Sequence, residues 1–162
     1  MFKWAWHCNI KLPKILFDTW LSNYKEEKIL IQIDTVKQEF DYKSVDKFID
    51  KFWIFNSIKA TPDDILLSKK IHALIARKRL KWRDFYDILF LLDFTKPNYK
   101  YLENKIWIKN TKELKEKIND FCKNLDFKEI SKDVEPFLIN KNEVLKIQNF
   151  LEFFNKKIDS KN

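Results

Sequence analysis

Residues 61–92, TPDDILLSKKIHALIARKRLKWRDFYDILFLL, contain the clearest structural signals in the chain. TPDD is typical of a helix start, with Thr61 as the capping hydroxyl, a proline in the first turn and two acids at the positive end of the helix dipole. A helix over about 62–79 places four apolar residues on one face: Leu67, Ile71, Leu74 and Ile75. A second helix, starting near Trp82 or Arg83, turns its own apolar residues inward: Phe85, Ile88, Leu89 and Leu92. The stretch therefore predicts two helices packed through their apolar faces.

The sequence before this stretch predicts β-strands. The segments 15–23 and 28–36 are rich in β-branched and aromatic residues and flank the polar turn YKEE, which predicts an antiparallel hairpin. The segment 51–60, KFWIFNSIKA, is compatible with a third strand or with a helix, because a short apolar run does not distinguish the two.

The sequence after the second helix predicts further helices. Lys-Pro-Asn at 96–98 interrupts the chain, and three helical segments follow, over about 111–124, 129–138 and 141–157. The predicted fold class is α+β, with a small antiparallel sheet on the N-terminal side followed by a helical bundle. The predicted domains are a strand-rich part, 1–60, and a helical part, 61–162, packed on it as one structural unit.

The charge of the chain admits two interpretations. The 162 residues carry a net charge of +8, and such a field favours polyanions, of which nucleic acid is the first candidate. The alternative is a lysine-rich surface without a partner, because lysines occur along the whole chain.

The chain contains no glycine. Phosphate-binding loops need glycine where the backbone approaches the phosphate closely or adopts a positive φ angle. A P-loop, a dinucleotide-binding fingerprint and a Gly-Ser turn are therefore excluded within these residues.

The cysteines and the hydropathy favour the cytoplasm as the location. Cys8 and Cys122 have no metal-binding spacing, and we expect both thiols to be reduced. The N-terminal apolar run is too short for a signal peptide, and no stretch reaches the roughly 18 apolar residues that a membrane span needs. We expect no association with a membrane.

Charged residues lie beside the apolar faces of the two predicted helices. Lys70, Ala73 and Arg77 form a line along the first helix, and Asp84 and Asp87 form a similar line along the second. When the helices pack, these lines converge at the rim of the interface. A lysine and an arginine there can bind phosphate oxygens, and an aspartate can orient them or take a proton. The alternative is a set of border ion pairs that each contribute little to stability.

Asp34 is an acidic residue inside an apolar strand. Burial would require a partner or a metal ion, because an isolated buried carboxylate is costly. The alternative is an outward-facing position, because the period of two places Gln32 and Asp34 on the same face of the strand.

The stretch PDDILLSKKIHALIARKRLKWRDFYDILFLL resembles the C-terminal signature of the AbiEii/AbiGii family of nucleotidyltransferase toxins. In that family a helix with the pattern Lys-x-x-Ala-Leu-x-x-Arg is followed by Arg-Asp-x-Tyr-Asp and an apolar helix. The matching residues are Lys70, Ala73, Leu74, Arg77, Arg83, Asp84, Tyr86 and Asp87. KDVEPFL at 132–138 resembles the family's later helical region. ILIQIDT at 29–35 resembles the strand that supplies a third acidic residue in polymerase-β-like nucleotidyltransferases.

The resemblance implies an enzyme that transfers a nucleotide from an NTP to an acceptor with Mg²⁺, in several relatives to the 3′ end of tRNA. It implies that a separately encoded antitoxin restrains the toxin. It implies that Lys70 binds the triphosphate and that Asp84 is the essential acidic residue that comes later in the family's sequence. Arg77, Arg83 and Asp87 would support binding of the nucleotide or RNA, and Asp34 would be the third carboxylate of the metal site.

The sequence departs from the family at its opening motif. The family begins with a Gly-Gly-Thr or Gly-Ser turn followed by an Asp-x-Asp pair, and neither occurs in this sequence. Two-metal phosphoryl transfer needs several carboxylates around ions about 4 Å apart. We therefore expect a truncated or split nucleotidyltransferase that is inactive alone and whose missing half is lost or separately encoded. The alternatives are a non-catalytic RNA- or protein-binding helical module and an unrelated interaction protein.

Overall fold

The computed structural model describes residues 5–36, 39–138 and 142–160. The fold is α+β, as predicted, with two separate two-stranded antiparallel sheets and a set of helices. Packing divides the chain into two units, Met1–Asp41 and Tyr42–Asn162, and each is described by itself below. The boundary lies before the second sheet, whereas the sequence shows its change of character after that sheet.

The first unit contains one hairpin, formed by strands β1 (Ala5–Pro13) and β2 (Lys28–Val36). The prediction of a strand over 28–36 is confirmed. The prediction of a strand over 15–23 is wrong, because Pro13 pairs with Lys28 and the residues between them must connect the two strands. This connection contains the single helical turn α1 (Ile15–Asp18).

The hairpin of the first unit has one apolar and one largely polar face. Residues directly opposite each other in the ladder share a face, and successive residues alternate between faces. The apolar face carries Trp6, Cys8, Ile10, Leu12, Ile29, Ile31, Ile33 and Thr35. The other face carries most of the charged and amide side chains, including Gln32 and Asp34.

The second unit begins with another hairpin, formed by β3 (Val45–Lys51) and β4 (Ile54–Ala60). Its ladder ends at the pair Lys51–Ile54, so the turn consists of Phe52 and Trp53. Both turn residues have positive φ angles, 55° and 64°. Asn-Gly is the usual sequence at such positions, and in a chain without glycine two aromatic residues occupy them. The alternative of a strand within 51–60 is therefore the one observed, although its partner β3 is not apparent from the sequence.

Two long helices follow, α2 (Asp63–Ala76) and α3 (Trp82–Phe94). The apolar stripes predicted for them are buried, including Leu67, Ile71 and Leu74 of α2 and Phe85, Ile88, Leu89 and Leu92 of α3. The predicted capping role of Thr61 is wrong. Its hydroxyl group contacts the Tyr42 hydroxyl at 3.0 Å, and α2 begins only at Asp63. Extended backbone at Arg77 ends α2 before the predicted position.

The remaining helices complete the core of the second unit. They are α4 (Tyr99–Ile106), α5 (Thr111–Cys122), α6 (Phe127–Val134), α7 (Asn142–Gln148) and α8 (Phe150–Asp159), with a 3₁₀ turn at Glu135–Phe137. Helix α4 is absent from the sequence prediction, and the helix predicted over 141–157 is two helices that meet at Asn149. Phe85 and Phe150 pack edge to face in the centre of this core, with ring centroids 4.9 Å apart. Among the described residues, no helix is long and apolar enough to cross a membrane.

Candidate functional site

The charged residues predicted beside the apolar stripes come together between α2 and α3. Lys70 and Arg77 are seven residues apart, two helical turns, and therefore lie on the same side of α2. Arg77 is the first residue beyond the helix, where the backbone becomes extended. Asp84 and Asp87 lie one turn apart on α3 and face the two cations.

These four residues form a connected group of ion pairs, here called the α2–α3 cluster. The Lys70 ammonium donates to Asp87 Oδ2 at 2.5 Å and lies 3.9 Å from Asp84 Oδ1. Arg77 Nη1 donates to Asp84 Oδ2. The cluster therefore links residues seventeen positions apart through side chains of opposite charge, and its formal charges cancel.

Asp84 is the buried member of the cluster. Its side chain is 1% exposed, whereas those of Lys70, Asp87 and Arg77 are 30%, 33% and 40% exposed. Oδ1 of Asp84 is buried and has no hydrogen-bond partner among the residues that the structure describes. Buried carboxylate oxygens are nearly always hydrogen-bonded, so Oδ1 of Asp84 is an exception, and the Lys70 ammonium lies 3.9 Å from it.

The structure does not bring every predicted binding residue into the cluster. Arg83 directly precedes Asp84, but its side chain is exposed and takes no part in the hydrogen bonds of the cluster. Adjacent residues of a helix point about 100° apart, so a buried Asp84 places Arg83 on a different side of α3.

Asp34 belongs to the first unit and takes the outward-facing alternative. Its side chain is 54% exposed, Oδ1 lies 2.6 Å from His7 Nδ1, and Gln32 Nε2 donates to both carboxylate oxygens at 3.2 and 3.3 Å. The hydrogen bond with His7, and then that with Gln32, hold the pKa of Asp34 below its usual value. Asp34 therefore accepts hydrogen bonds as a solvated carboxylate in this structure.

Neither the α2–α3 cluster nor the surroundings of Asp34 fit Mg²⁺ in this structure. In the α2–α3 cluster a guanidinium and an ammonium already neutralise the two carboxylates, whereas Mg²⁺ needs six oxygen ligands in an octahedron. Among the described residues, no group of three or more His, Cys, Asp or Glu side chains is arranged to hold a metal ion. Mg²⁺ therefore stays a prediction that follows from the resemblance alone.

A dense run of cations follows directly after α2. The segment RKRLKWR, residues 77–83, contains five basic residues, and four of them have exposed side chains without an ion pair to any other described residue: Lys78, Arg79, Lys81 and Arg83. We call these four the basic loop, and the last of them, Arg83, is the second residue of α3. The even spread of lysines over the whole chain hides this run, whereas a window of seven residues reveals it.

A second polar group surrounds a small open depression of about 50 Å³ between α3, α7 and α8. Tyr86 donates to Glu143, and this hydrogen bond raises the pKa of Tyr86 and lowers that of Glu143. Lys146 lies 3.2 Å from Glu143, and Lys157 pairs with Asp93. Each ammonium group faces a carboxylate, so this depression presents balanced charge to a ligand.

Comparison with known proteins adds no relative. No protein-family model, no curated protein and no solved structure matches the chain. The chemistry of the α2–α3 cluster and of the basic loop is therefore the basis for the functional conclusion.

Proposed function

We propose that this chain is a nucleotidyltransferase-family protein of the AbiEii/AbiGii toxin type whose α2–α3 cluster binds the phosphate groups of an NTP. The observation that carries the proposal is the convergence of Lys70, Arg77, Asp84 and Asp87 in one cluster, around a buried carboxylate with a free acceptor. These four are among the residues that the sequence resemblance selects, which also include Arg83 and Asp34 outside the cluster.

The proposal assigns a different task to each member of the cluster. Asp84 is buried and positions the Arg77 guanidinium, whose other N–H groups reach the surface because the side chain is 40% exposed. Lys70 is held by Asp87, which is one-third exposed. A triphosphate carries more charge than a single carboxylate, so it competes with Asp87 for the Lys70 ammonium. Lys70 and Arg77 thus contact the phosphates, and Asp84 is a positioning residue.

On this proposal the isolated chain binds NTP but does not transfer the nucleotide. It has no Asp-x-Asp pair and no glycine turn, and the cluster does not fit Mg²⁺, so we assign it no step through a metal ion. Transfer requires a further subunit or segment with those motifs. An RNA such as tRNA as acceptor, a separately encoded antitoxin and a cytoplasmic location belong to the same proposal.

Calorimetric titration of the chain with each of the four NTPs tests the proposal. Loss of one charge-assisted hydrogen bond costs about 1.5–3 kcal/mol, so we expect Lys70→Ala to bind the preferred NTP at least about tenfold more weakly. Lys115→Ala is the matched control, because Lys115 also forms a 2.5 Å ion pair, with Asp159, and its side chain is 26% exposed. No binding of any NTP to the wild-type chain, or equal weakening by both substitutions, would refute the proposal.

The basic loop supports a second candidate function, a non-catalytic RNA-binding module. Four exposed cations without described partners lie within six residues, and clustered lysines and arginines are typical of nucleic-acid-binding surfaces. If each contacts one phosphate, the logarithm of the RNA affinity falls with the logarithm of salt concentration with a slope of about −3. Exchanging all four for alanine should abolish the salt-dependent binding. The matched control exchanges four exposed lysines of α4 and α5 or the residue after α5: Lys100, Lys112, Lys117 and Lys123.

One set of measurements distinguishes the two candidate functions. NTP binding that needs Lys70, without salt-dependent RNA binding, supports the nucleotidyltransferase. RNA binding that needs the basic loop, without NTP binding, supports the binding module.

A further inference from the structure

The β3–β4 hairpin has two outer edges of opposite character. Among the described residues its sheet has only these two strands, so each strand has one unpaired edge. Strand β3 carries four alternating charges, Asp46, Lys47, Asp50 and Lys51, which is how proteins protect an edge from pairing. The first five residues of β4, IFNSI at 54–58, carry no charge and are all exposed. The edge of β4 is therefore the one that is open to another strand.

The side chains of this hairpin leave a large apolar area uncovered. Ile54 is 65% exposed, and the exposed fraction is higher still for four aromatic residues: Phe48, Phe52, Trp53 and Phe55. Aromatic side chains present about 150–250 Å² each, so the uncovered area is on the order of 700 Å². Each partner of a stable interface contributes about 800 Å². A two-stranded hairpin is at best marginally stable alone, and additional strands would stabilise it.

The sequence of β4 is compatible with antiparallel pairing to itself. A twofold axis perpendicular to the sheet at Asn56 places Asn56 opposite Asn56 of a second copy, and side-chain amides can donate to and accept from each other. The same register places Ile54 opposite Ile58 on one face and Phe55 opposite Ser57 on the other. No like charges oppose each other within these five residues, because none is charged.

We propose that the chain forms a homodimer in which β4 pairs antiparallel with β4 of a second copy. The result is a four-stranded sheet in the order β3-β4-β4-β3. Within one chain Phe48 stacks on Phe55, with centroids 5.4 Å apart and an interplanar angle of 8°. In the dimer the two Phe55 rings are diagonal neighbours, within reach of each other, so four phenylalanines form one row across the sheet. This inference does not depend on the proposed function.

Light scattering on size-exclusion fractions tests the dimer through the residue on its axis. The wild-type chain should have twice the monomer mass of 19.9 kDa at high concentration. Asn56→Lys places two lysines directly opposite each other, and Asn56→Asp places two aspartates opposite each other. Each substitution should weaken dimerisation at least tenfold, whereas an equimolar mixture should form a heterodimer through a Lys–Asp pair. Ile49→Lys is the control, because residue 49 lies opposite Asn56 within the same hairpin but one strand away from the interface.

Each outcome of this experiment decides the proposal. A monomer at all concentrations would overturn it, as would a wild-type dimer that both Asn56 variants retain. Assemblies larger than a dimer would show that β4 is not a closed twofold interface. If a substituted chain loses its helical circular dichroism, hydrogen exchange of the wild-type chain serves as the test instead. Amides of β4 should then exchange more slowly as the concentration rises, and unchanged exchange would contradict the dimer.

Discussion

Replacing Arg77 by methionine should destabilise the helical unit far more than its exposed position suggests. The substitution keeps an unbranched apolar side chain in place of the arginine stem but removes the guanidinium, which leaves Asp84 as a 1% exposed carboxylate. Its nearest remaining cation is the Lys70 ammonium, 3.9 Å from Oδ1, which already binds Asp87. Breaking a fully buried ion pair costs about 3–5 kcal/mol. Because Arg77 is 40% exposed, we expect a smaller loss, about 2–3 kcal/mol.

Urea unfolding followed by far-ultraviolet circular dichroism measures this loss. For a chain of this length the expected change corresponds to a fall in Tm of about 5–10 °C. Lys115→Met is the matched control, because the Lys115–Asp159 pair is more open to water and should contribute at most about 1 kcal/mol. Asp84→Asn should cost less than Arg77→Met, because it leaves no buried charge and Arg77 can turn to solvent.

The comparison between these variants can refute the reasoning. If Arg77→Met and Lys115→Met have the same effect, Asp84 does not need the guanidinium. If Asp84→Asn is the more damaging of the two cluster substitutions, the buried charge is not the source of the cost.

Four further predictions concern the fold. A thiol reagent at pH 8 should label Cys8, which is exposed, and spare Cys122, because burial raises the pKa of the Cys122 thiol to about 12. This pKa lies above the ordinary thiol pKa of 9.0, so the stability that the buried thiol contributes is complete below pH 9 and is lost as the pH rises from 9 toward 12. Urea unfolding at several pH values measures this loss. Asn98→Ala should cost about 1–2 kcal/mol in the same assay, because the Asn98 side chain caps α4 at Tyr101 and donates to Asp64 at 2.8 Å. Phe150→Ala should cost about 3–5 kcal/mol, because the ring is fully buried against Phe85.

Local sequence signals predict the two central helices well. The spacing of Leu67, Ile71 and Leu74 corresponds to one helical face, and all three are buried in the structure. The same spacing predicts that Lys70 and Arg77 meet Asp84 and Asp87, because charges beside two packed stripes must lie at their shared rim. The burial of Asp84 is not predictable in this way, since it depends on tertiary packing around the first turn of α3.

The strands are predicted less completely, because an apolar segment that connects two strands can have the same composition as a strand. Residues 15–23 have strand-like composition, but the pairing of β2 with Ala5–Pro13 turns them into a connection. That partner does carry a period of two, with Trp6, Ile10 and Leu12 on one face. The turn at Phe52–Trp53 contains no glycine or asparagine, so the usual signal for a hairpin is missing.

Protection of Lys70 from an amine-reactive label by bound NTP tests the central claim most directly. Peptide mass spectrometry compares the labelling of Lys70 with that of Lys115, whose ion pair has the same length and whose side chain is similarly exposed. If the α2–α3 cluster binds the triphosphate, NTP should slow the labelling of Lys70 and leave Lys115 unchanged. Equal labelling of Lys70 with and without saturating NTP would contradict the account.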